Sequence, residues 1–369
     1  MSNTQTKTKT EASSGRTRKK KKPSQRVWRG VGRFFLLLIE TALLICIAVY
    51  AAGYVIVHGP YSSGKYFMMG LSESSAAKFV PKLYFSEEEL SHVREDTVEE
   101  YVPTDTSLIT INTDGTQHAE GTPWTDAYGH VDEDGDGIII ETVKGKGYSG
   151  YMMIVEDPSR VIMGSIPSSY GREGYVVKEF VEHFDGVAGT NAGGFYDPNG
   201  MGDGSIPDSV VVVDGQIYYS EFGCRDGIAA IDSNHILHVA QYMSRQDLIN
   251  NDIQYAVCYG PVLIANGEQT RDFGFYDGLN PRTAIGQRDD GAFLFLVIDG
   301  RQVVSMGASY QDLAEIMLSY NAVNALNLDG GSSSMLFYNG EYVNNKAYVI
   351  GIRDIPTSFV VLKEEQSNG

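Results

Sequence analysis

Hydrophobic and polar positions divide the chain into three regimes, and each predicts a different structure. The first is a continuous apolar run, Phe34 to Val57, whose one ionisable side chain is Glu40. About two dozen such residues are long enough to cross a bilayer, so residues 34–57 are predicted as a transmembrane helix. The second regime, residues 58–136, shows no long core pattern. It carries Ser62-Ser63-Gly64, an acidic patch from Glu87 to Glu100 and Thr/Asp-rich sequence around Pro103. This composition reads as a stalk that gives reach, with a short helix near Glu87–Val93. The third regime, residues 137–365, alternates short apolar runs with turns and predicts the folded domain.

Within that domain, Tyr151–Val155 and Val161–Met163 flank Asp157-Pro158-Ser159, which reads as a tight connection between two strands. Val210–Val213, Asp214-Gly215 and Gln216–Tyr219 form the strongest hairpin signal, because Asp-Gly suits a type I′ turn. Further turns at Asn266-Gly267, Asp290-Gly291, Asp299-Gly300 and Asn339-Gly340 separate strands such as Ala292–Ile298. Two segments have helical spacing instead. Gly174 to His183 places Val177, Phe180, Val181 and Phe184 on one face, and Ser309 to Tyr320 does the same with Leu313, Ile316, Met317 and Tyr320. Ser309 and Asp312 stand in capping-box positions. Helices among many strands, without regular βαβ alternation, predict an α+β fold with a mixed, largely antiparallel sheet and packed helices.

Charge changes the picture at the N-terminus. Residues 1–33 hold eleven Lys/Arg and one acid, a net of about +10, which leaves about −28 on the remainder of a chain whose total is −18. Basic residues before an apolar span, with no comparable cluster after it, predict a cytoplasmic N-terminus and an extracellular domain in a single-pass cell-membrane protein. The apolar run is too long for a cleaved signal peptide, and no A-x-A-like site follows closely. So acidic a body makes nucleic acid an unsuitable partner. Of the three cysteines, Cys46 lies in the span; Cys224 and Cys258 either pair or are two free small hydrophobes.

Several constellations could carry chemistry. Asn327-Leu328-Asp329-Gly330-Gly331-Ser332-Ser333-Ser334 sets a carboxylate, two glycines and three hydroxyls between apolar runs. Asp329 could act as base, nucleophile or metal ligand, and Gly330 and Gly331 could turn consecutive N–H groups toward an anion. Gly-x-Ser-x-Gly is absent, which argues against a serine hydrolase. In Asn191-Ala192-Gly193-Gly194-Phe195-Tyr196-Asp197, Phe195 and Tyr196 could wall a sugar ring and Asn191 could bond its hydroxyls. The competing reading is a glycine bulge that aims core aromatics inward. Arg282, in Asn280-Pro281-Arg282-Thr283-Ala284-Ile285-Gly286, offers a bidentate anion fork or a structural salt bridge. Asp299-Gly300-Arg301 adds a second acid.

Asp132-Glu133-Asp134-Gly135-Asp136-Gly137 resembles the opening of a calcium loop, but Val143 stands at the twelfth position, which rules out an EF-hand. His183, His235 and His238 show no metal or triad spacing. No cofactor is expected; the acidic turn leaves a divalent cation such as Ca²⁺ in another geometry open, although no clear ligand motif calls for one.

Together these motifs, with Gly260-Pro261, resemble the phosphodiester glycosidase family in order and spacing, over about Gly147 to Leu362. Ser332 departs from the family's frequent third glycine. The resemblance implies hydrolysis of the bond between a sugar's anomeric carbon and a phosphodiester oxygen, as in GlcNAc-1-phosphate linkages. It implies that Arg282 and the Gly330-Gly331 backbone hold phosphate. Asp329 or Asp299 would orient water or stabilise the oxocarbenium ion. Asn191, Gly193, Gly194, Phe195 and Tyr196, with Ser332 and Ser333, would bind substrate. A phosphate-containing cell-surface glycan, such as a teichoic acid or exopolysaccharide, is the expected partner. The alternative is a non-catalytic glycan-binding or exopolysaccharide assembly factor.

Overall fold

The computed structural model describes residues 25–59, 62–71, 77, 79–86, 103–111, 121–198, 202–219, 226–273, 278–345 and 352–364. The helix expected near Glu87–Val93, the first two dozen residues of the basic tail, and Cys224 lie outside these. Contacts divide the chain into two units, Met1–Val55 and Ile56–Gly369.

The first unit is dominated by the helix Gln25–His58, which runs to just beyond its boundary. Its Gly32–His58 stretch is long and apolar enough to cross a membrane, and Leu36, Ile39, Leu44 and Val55 are exposed along it. Such a helix satisfies its own backbone donors and acceptors, which a bilayer requires. It starts at Gln25 and not at Phe34 because helical hydrogen bonding, unlike membrane insertion, continues through arginines.

The second unit is α+β, and every described strand pairing is antiparallel. The largest sheet has seven strands, in the order Glu268–Gln269, Val262–Ala265, Ala322–Leu328, Arg282–Arg288, Phe293–Ile298, Tyr148–Val155 and Ile138–Gly145. A five-stranded sheet orders Glu341–Tyr342, Leu336–Tyr338, Gly186–Asn191, Thr357–Leu362 and Val161–Ser165. A second five-stranded sheet orders Leu237–Ala240, Gly227–Asp232, Ile253–Tyr259, Val210–Val213 and Gln216–Tyr219. One apolar cluster joins all three: Met153, Phe295 and Leu326 from the first, Met163, Ala188 and Phe359 from the second, Ile231, Val239 and Val257 from the third. A helix packs with another cluster of each sheet: Tyr310–Ser319, Val177–His183 and Arg245–Asn250 respectively.

The expected hairpin is present, with Val213 opposite Gln216 and positive φ at both Asp214 (48°) and Gly215 (71°). Ser309 caps its helix reciprocally with Asp312 as the spacing predicts. The helix over Arg245–Asn250 was not expected, although Ser244 and Asp247 make the same capping box. Tyr148–Val155 and Val161–Ser165 are joined tightly, but they enter different sheets. Asp157 accepts from the Ser159 N–H and starts a turn that redirects the chain. Cys258, 2 % exposed, is disulfide-bonded, which decides between its two sequence readings.

Residues ahead of 137 contribute to this unit. Ile109 packs with Ile236 and Val323, and Trp124–Thr125 pairs with Val131–Asp132. The Asp132, Asp134 and Asp136 carboxylates come within 4.8 Å of one another. They accept from the N–H groups of Gly135, Gly137 and Ile138 and from the Tyr338 hydroxyl.

Beside that turn, both carboxylate oxygens of Glu156 are buried without a hydrogen-bond partner among the described residues. Burial, then the charges of Asp132 and Asp126, push its carboxyl up to about 8. The folded state therefore keeps a proton that the unfolded state releases above about pH 4. Stability is full below that point and declines as pH rises through about 8. Glu156→Gln is expected to flatten this decline, with a melting temperature above wild type at pH 9 and near it at pH 5. Identical thermal profiles for the two proteins across that range would contradict this.

Candidate active site

The strand Ala322–Leu328 ends by delivering Asp329 to the seam between the seven-stranded sheet and the sheet that holds Gly186–Asn191. Across the seam, the Asp329 N–H donates to the Ala192 carbonyl (3.1 Å), and Asn191 Nδ2 donates to the Asp329 carbonyl (2.6 Å). Asn191 Oδ1 accepts from Thr283 Oγ1 (2.8 Å) and the Met335 N–H (3.1 Å). Asn191 is 1 % exposed, so it fixes the Asp329 turn from below.

The double glycine also serves the protein's own packing. Gly330 N–H donates to Asp329 Oδ1 (2.9 Å) and Gly331 N–H to the Pro281 carbonyl (2.8 Å). Each of the two amides of which an anion cradle was expected has a protein acceptor. A Cβ on Gly330 would lie 2.8 Å from the Pro281 oxygen. Gly331 has φ +65°, and a Cβ there would lie 3.3 Å from Arg301 Nη2. Asp329, Gly330, Gly331 and Ser332 are half-buried, whereas Ser333 and Ser334 are buried. Gly331→Ala is expected to cost about 1–2 kcal/mol through the left-handed backbone. It should cut kcat/KM about tenfold or more by shifting the turn. Melting curves and kinetics on the variant check both; wild-type kinetics would contradict the second.

Arg282 is 3 % exposed. Its Nε donates to the Ala308 carbonyl (3.3 Å), its Nη2 to that of Gly278 (3.5 Å), and its Cζ lies 4.0 Å from the Tyr310 ring centroid. These contacts make it a tie between strand, loop and helix, where an open anion fork was expected. Asp299 is also buried; Oδ1 accepts from Asn344 Nδ2 and Oδ2 from Asn345 Nδ2, both at 3.3 Å. Burial pushes its carboxyl above the usual range against the pull of those two bonds. Asn344 Nδ2 also donates to the Ser334 carbonyl (3.1 Å), which links Asp299 to the Asp329 turn.

A Cβ on Gly193 would lie 2.9 Å from Val257 Cβ, and one on Gly194 2.9 Å from Tyr259 Cδ2. These glycines, of which ligand approach was expected, admit the strand Ile253–Tyr259. Phe195, of which a sugar wall was expected, is 6 % exposed and packs with Phe180, Met335 and Ile355. Tyr196 is 43 % exposed.

Arg353 was not expected at this site. Its Nη1 donates to Asp197 Oδ2 (2.8 Å), its Nη2 to the Gly202 carbonyl (3.1 Å), and its Cζ lies 4.8 Å from the Phe195 ring centroid. The Asp197 bond, opposed by burial and reinforced by the charges of Asp197 and Asp329, holds its guanidinium above the ordinary value. Ile352-Arg353-Asp354 carries no motif; the scarcity of cations in the acidic body was the available signal.

Residues 185–362 match the phosphodiester glycosidase family model. Over 223 residues (55 % of this chain, 42 % of the relative) the chain is 26 % identical to N-acetylglucosamine-1-phosphodiester alpha-N-acetylglucosaminidase of Mus musculus. Over 102 residues (27 % of this chain, 16 % of the relative) it is 35 % identical to SPbeta prophage-derived uncharacterized protein YomE of Bacillus subtilis. The match thus spans less than half the length of these curated relatives. The fold is similar to that of the zebrafish N-acetylglucosamine-1-phosphodiester alpha-N-acetylglucosaminidase catalytic domain, auto-inhibited by its pro-peptide. That similarity has a TM-score of 0.51 and 21 % identity over 62 % of this chain and 82 % of that one.

Proposed function

We propose that this protein is a membrane-anchored, outward-facing hydrolase that cleaves the anomeric C–O bond of a glycosyl-1-phosphodiester in a cell-surface glycan. The observation that carries this reading is the half-buried Asp329 carboxylate on a turn pinned from both sides, with an arginine that feels its charge. The match of residues 185–362 to the phosphodiester glycosidase family supports a glycosidase-type reaction. Water attacks the anomeric carbon, the C1–O bond breaks, and its electron pair leaves with the phosphate oxygen. Phosphate is a good leaving group, so strong general-acid help is less necessary than in ordinary glycoside hydrolysis. Asp329 stabilises the oxocarbenium-like centre and orients the water. Asp299, linked to the same turn through Asn344, is the second carboxyl. Tyr196 offers the exposed ring against which a sugar can stack.

Hydrolysis of a GlcNAc-1-phosphodiester in ¹⁸O-labelled water tests the bond cleaved. Label in the sugar is the expected result; label in the phosphate, or no turnover, overturns the proposal.

A further inference from the structure

Sequence motifs put the phosphate-binding cation at Arg282. The geometry points elsewhere, and we propose that Arg353 reads the phosphoryl group of the substrate, with Asp197 as its positioning residue. This rests on the reading above that the ligand is a sugar phosphate.

An anionic ligand approaching a body of strongly negative net charge requires a local cation. Arg282 is enclosed, with its guanidinium on Tyr310 and on loop carbonyls. Arg353 is held on three sides and still reaches solvent, its side chain 20 % exposed. Asp197 takes Nη1, Gly202 takes Nη2, and Phe195 lies against the guanidinium. An arginine has five N–H donors, and among the described residues two of them are used here. A guanidinium oriented by one carboxylate presents its remaining donors in a fixed fork, the geometry that matches a phosphate.

Arg353 also belongs to the same small region as Asp329. Its partners Phe195 and Asp197 follow Ala192, whose carbonyl accepts the Asp329 N–H. The charge of Asp329 acts on Arg353, in agreement with that placement. Asp197 Oδ1 accepts the Gly202 N–H, so the carboxylate that steers Arg353 is itself fixed by the loop. An anion on Arg353 and a sugar carbon near Asp329 would bring the breaking bond between the two groups.

The test uses the full chain in detergent, with GlcNAc-1-phosphate and free GlcNAc as probes for calorimetric binding. Arg353→Ala is expected to weaken GlcNAc-1-phosphate about tenfold or more, the worth of one or two charge-assisted hydrogen bonds. It should leave free GlcNAc within about twofold. Arg353→Lys keeps the charge, loses the fork and should fall between the two proteins. Asp197→Asn should weaken GlcNAc-1-phosphate less than Arg353→Ala does.

Equal loss of both probes would mark Arg353 as structural and overturn the inference. So would wild-type affinity for GlcNAc-1-phosphate in Arg353→Ala, or a wild-type protein that does not bind this probe. Selective loss with no turnover of the diester by wild type sinks the hydrolase reading and leaves the phosphate assignment standing. Turnover with no selective loss does the reverse.

Discussion

Asp329→Ala is expected to lower kcat for a GlcNAc-1-phosphodiester by about a thousandfold or more, with little change in melting temperature. The two effects separate because of how the residue is held. Its backbone N–H and C=O bond to Ala192 and Asn191, and neither bond uses the carboxylate. The side chain accepts from the Gly330 N–H, and Gly330 is half-buried. Removing the carboxylate therefore deletes charge at the seam and leaves the turn in place. Asn191→Ala should behave differently. It removes a buried amide with three hydrogen bonds, so activity and stability should fall together. Parallel kinetics and thermal melts distinguish the pair. If Asp329→Ala turns over within tenfold of wild type, the carboxylate does not act at the anomeric carbon.

The contrast between Asp329 and Asn191 shows what was legible in the sequence. Local patterns were readable: Asp214-Gly215 closes a hairpin and Ser309 with Asp312 starts a helix, because both depend on neighbours in the chain. Sheet assignment was not readable. Val161–Ser165 follows Tyr148–Val155 after one short turn, yet pairs with Thr357–Leu362, nearly two hundred residues away. Non-local pairing of that kind leaves no local trace. Glycine and asparagine motifs marked constrained positions, and the structure shows the neighbours that constrain them. Gly193 and Gly194 are required by Val257 and Tyr259, Gly330 by Pro281, and Gly331 by its own φ and Arg301. A sequence shows that a side chain is unwelcome, and a ligand and a neighbouring strand exclude it equally well. Arg353 is the converse case, a lone residue whose setting arises when Phe195 and Asp197 fold against it.

Arg288→Ala is expected to destabilise the domain by about 3–5 kcal/mol in urea unfolding at pH 7. The Arg288 side chain is 1 % exposed and meets Asp126, equally enclosed, at 2.6 Å. Asp290 accepts from Nε (3.0 Å) and Nη2 (2.7 Å), and the guanidinium lies over Tyr128 with its Cζ 4.6 Å from the centroid. Alanine would leave the Asp126 carboxylate buried without its counter-charge. Burial alone would raise the Asp126 carboxyl, but the Arg288 bond and charge and the N–H groups of His130 and Tyr128 outweigh it and hold it low. The stabilisation is therefore present above the unfolded value of about 4 and is lost as pH falls below it. The gap between wild type and Arg288→Ala should narrow at pH 3 for that reason. Replacing both partners with apolar residues should cost less than Arg288→Ala, since no charge is then stranded. A single-variant cost below about 1 kcal/mol would show that water reaches Asp126 and that the pair is not closed. The pair fastens the Trp124–Asp132 ribbon to the strand that begins at Arg282, so its loss should expose that ribbon to protease before the sheets unfold.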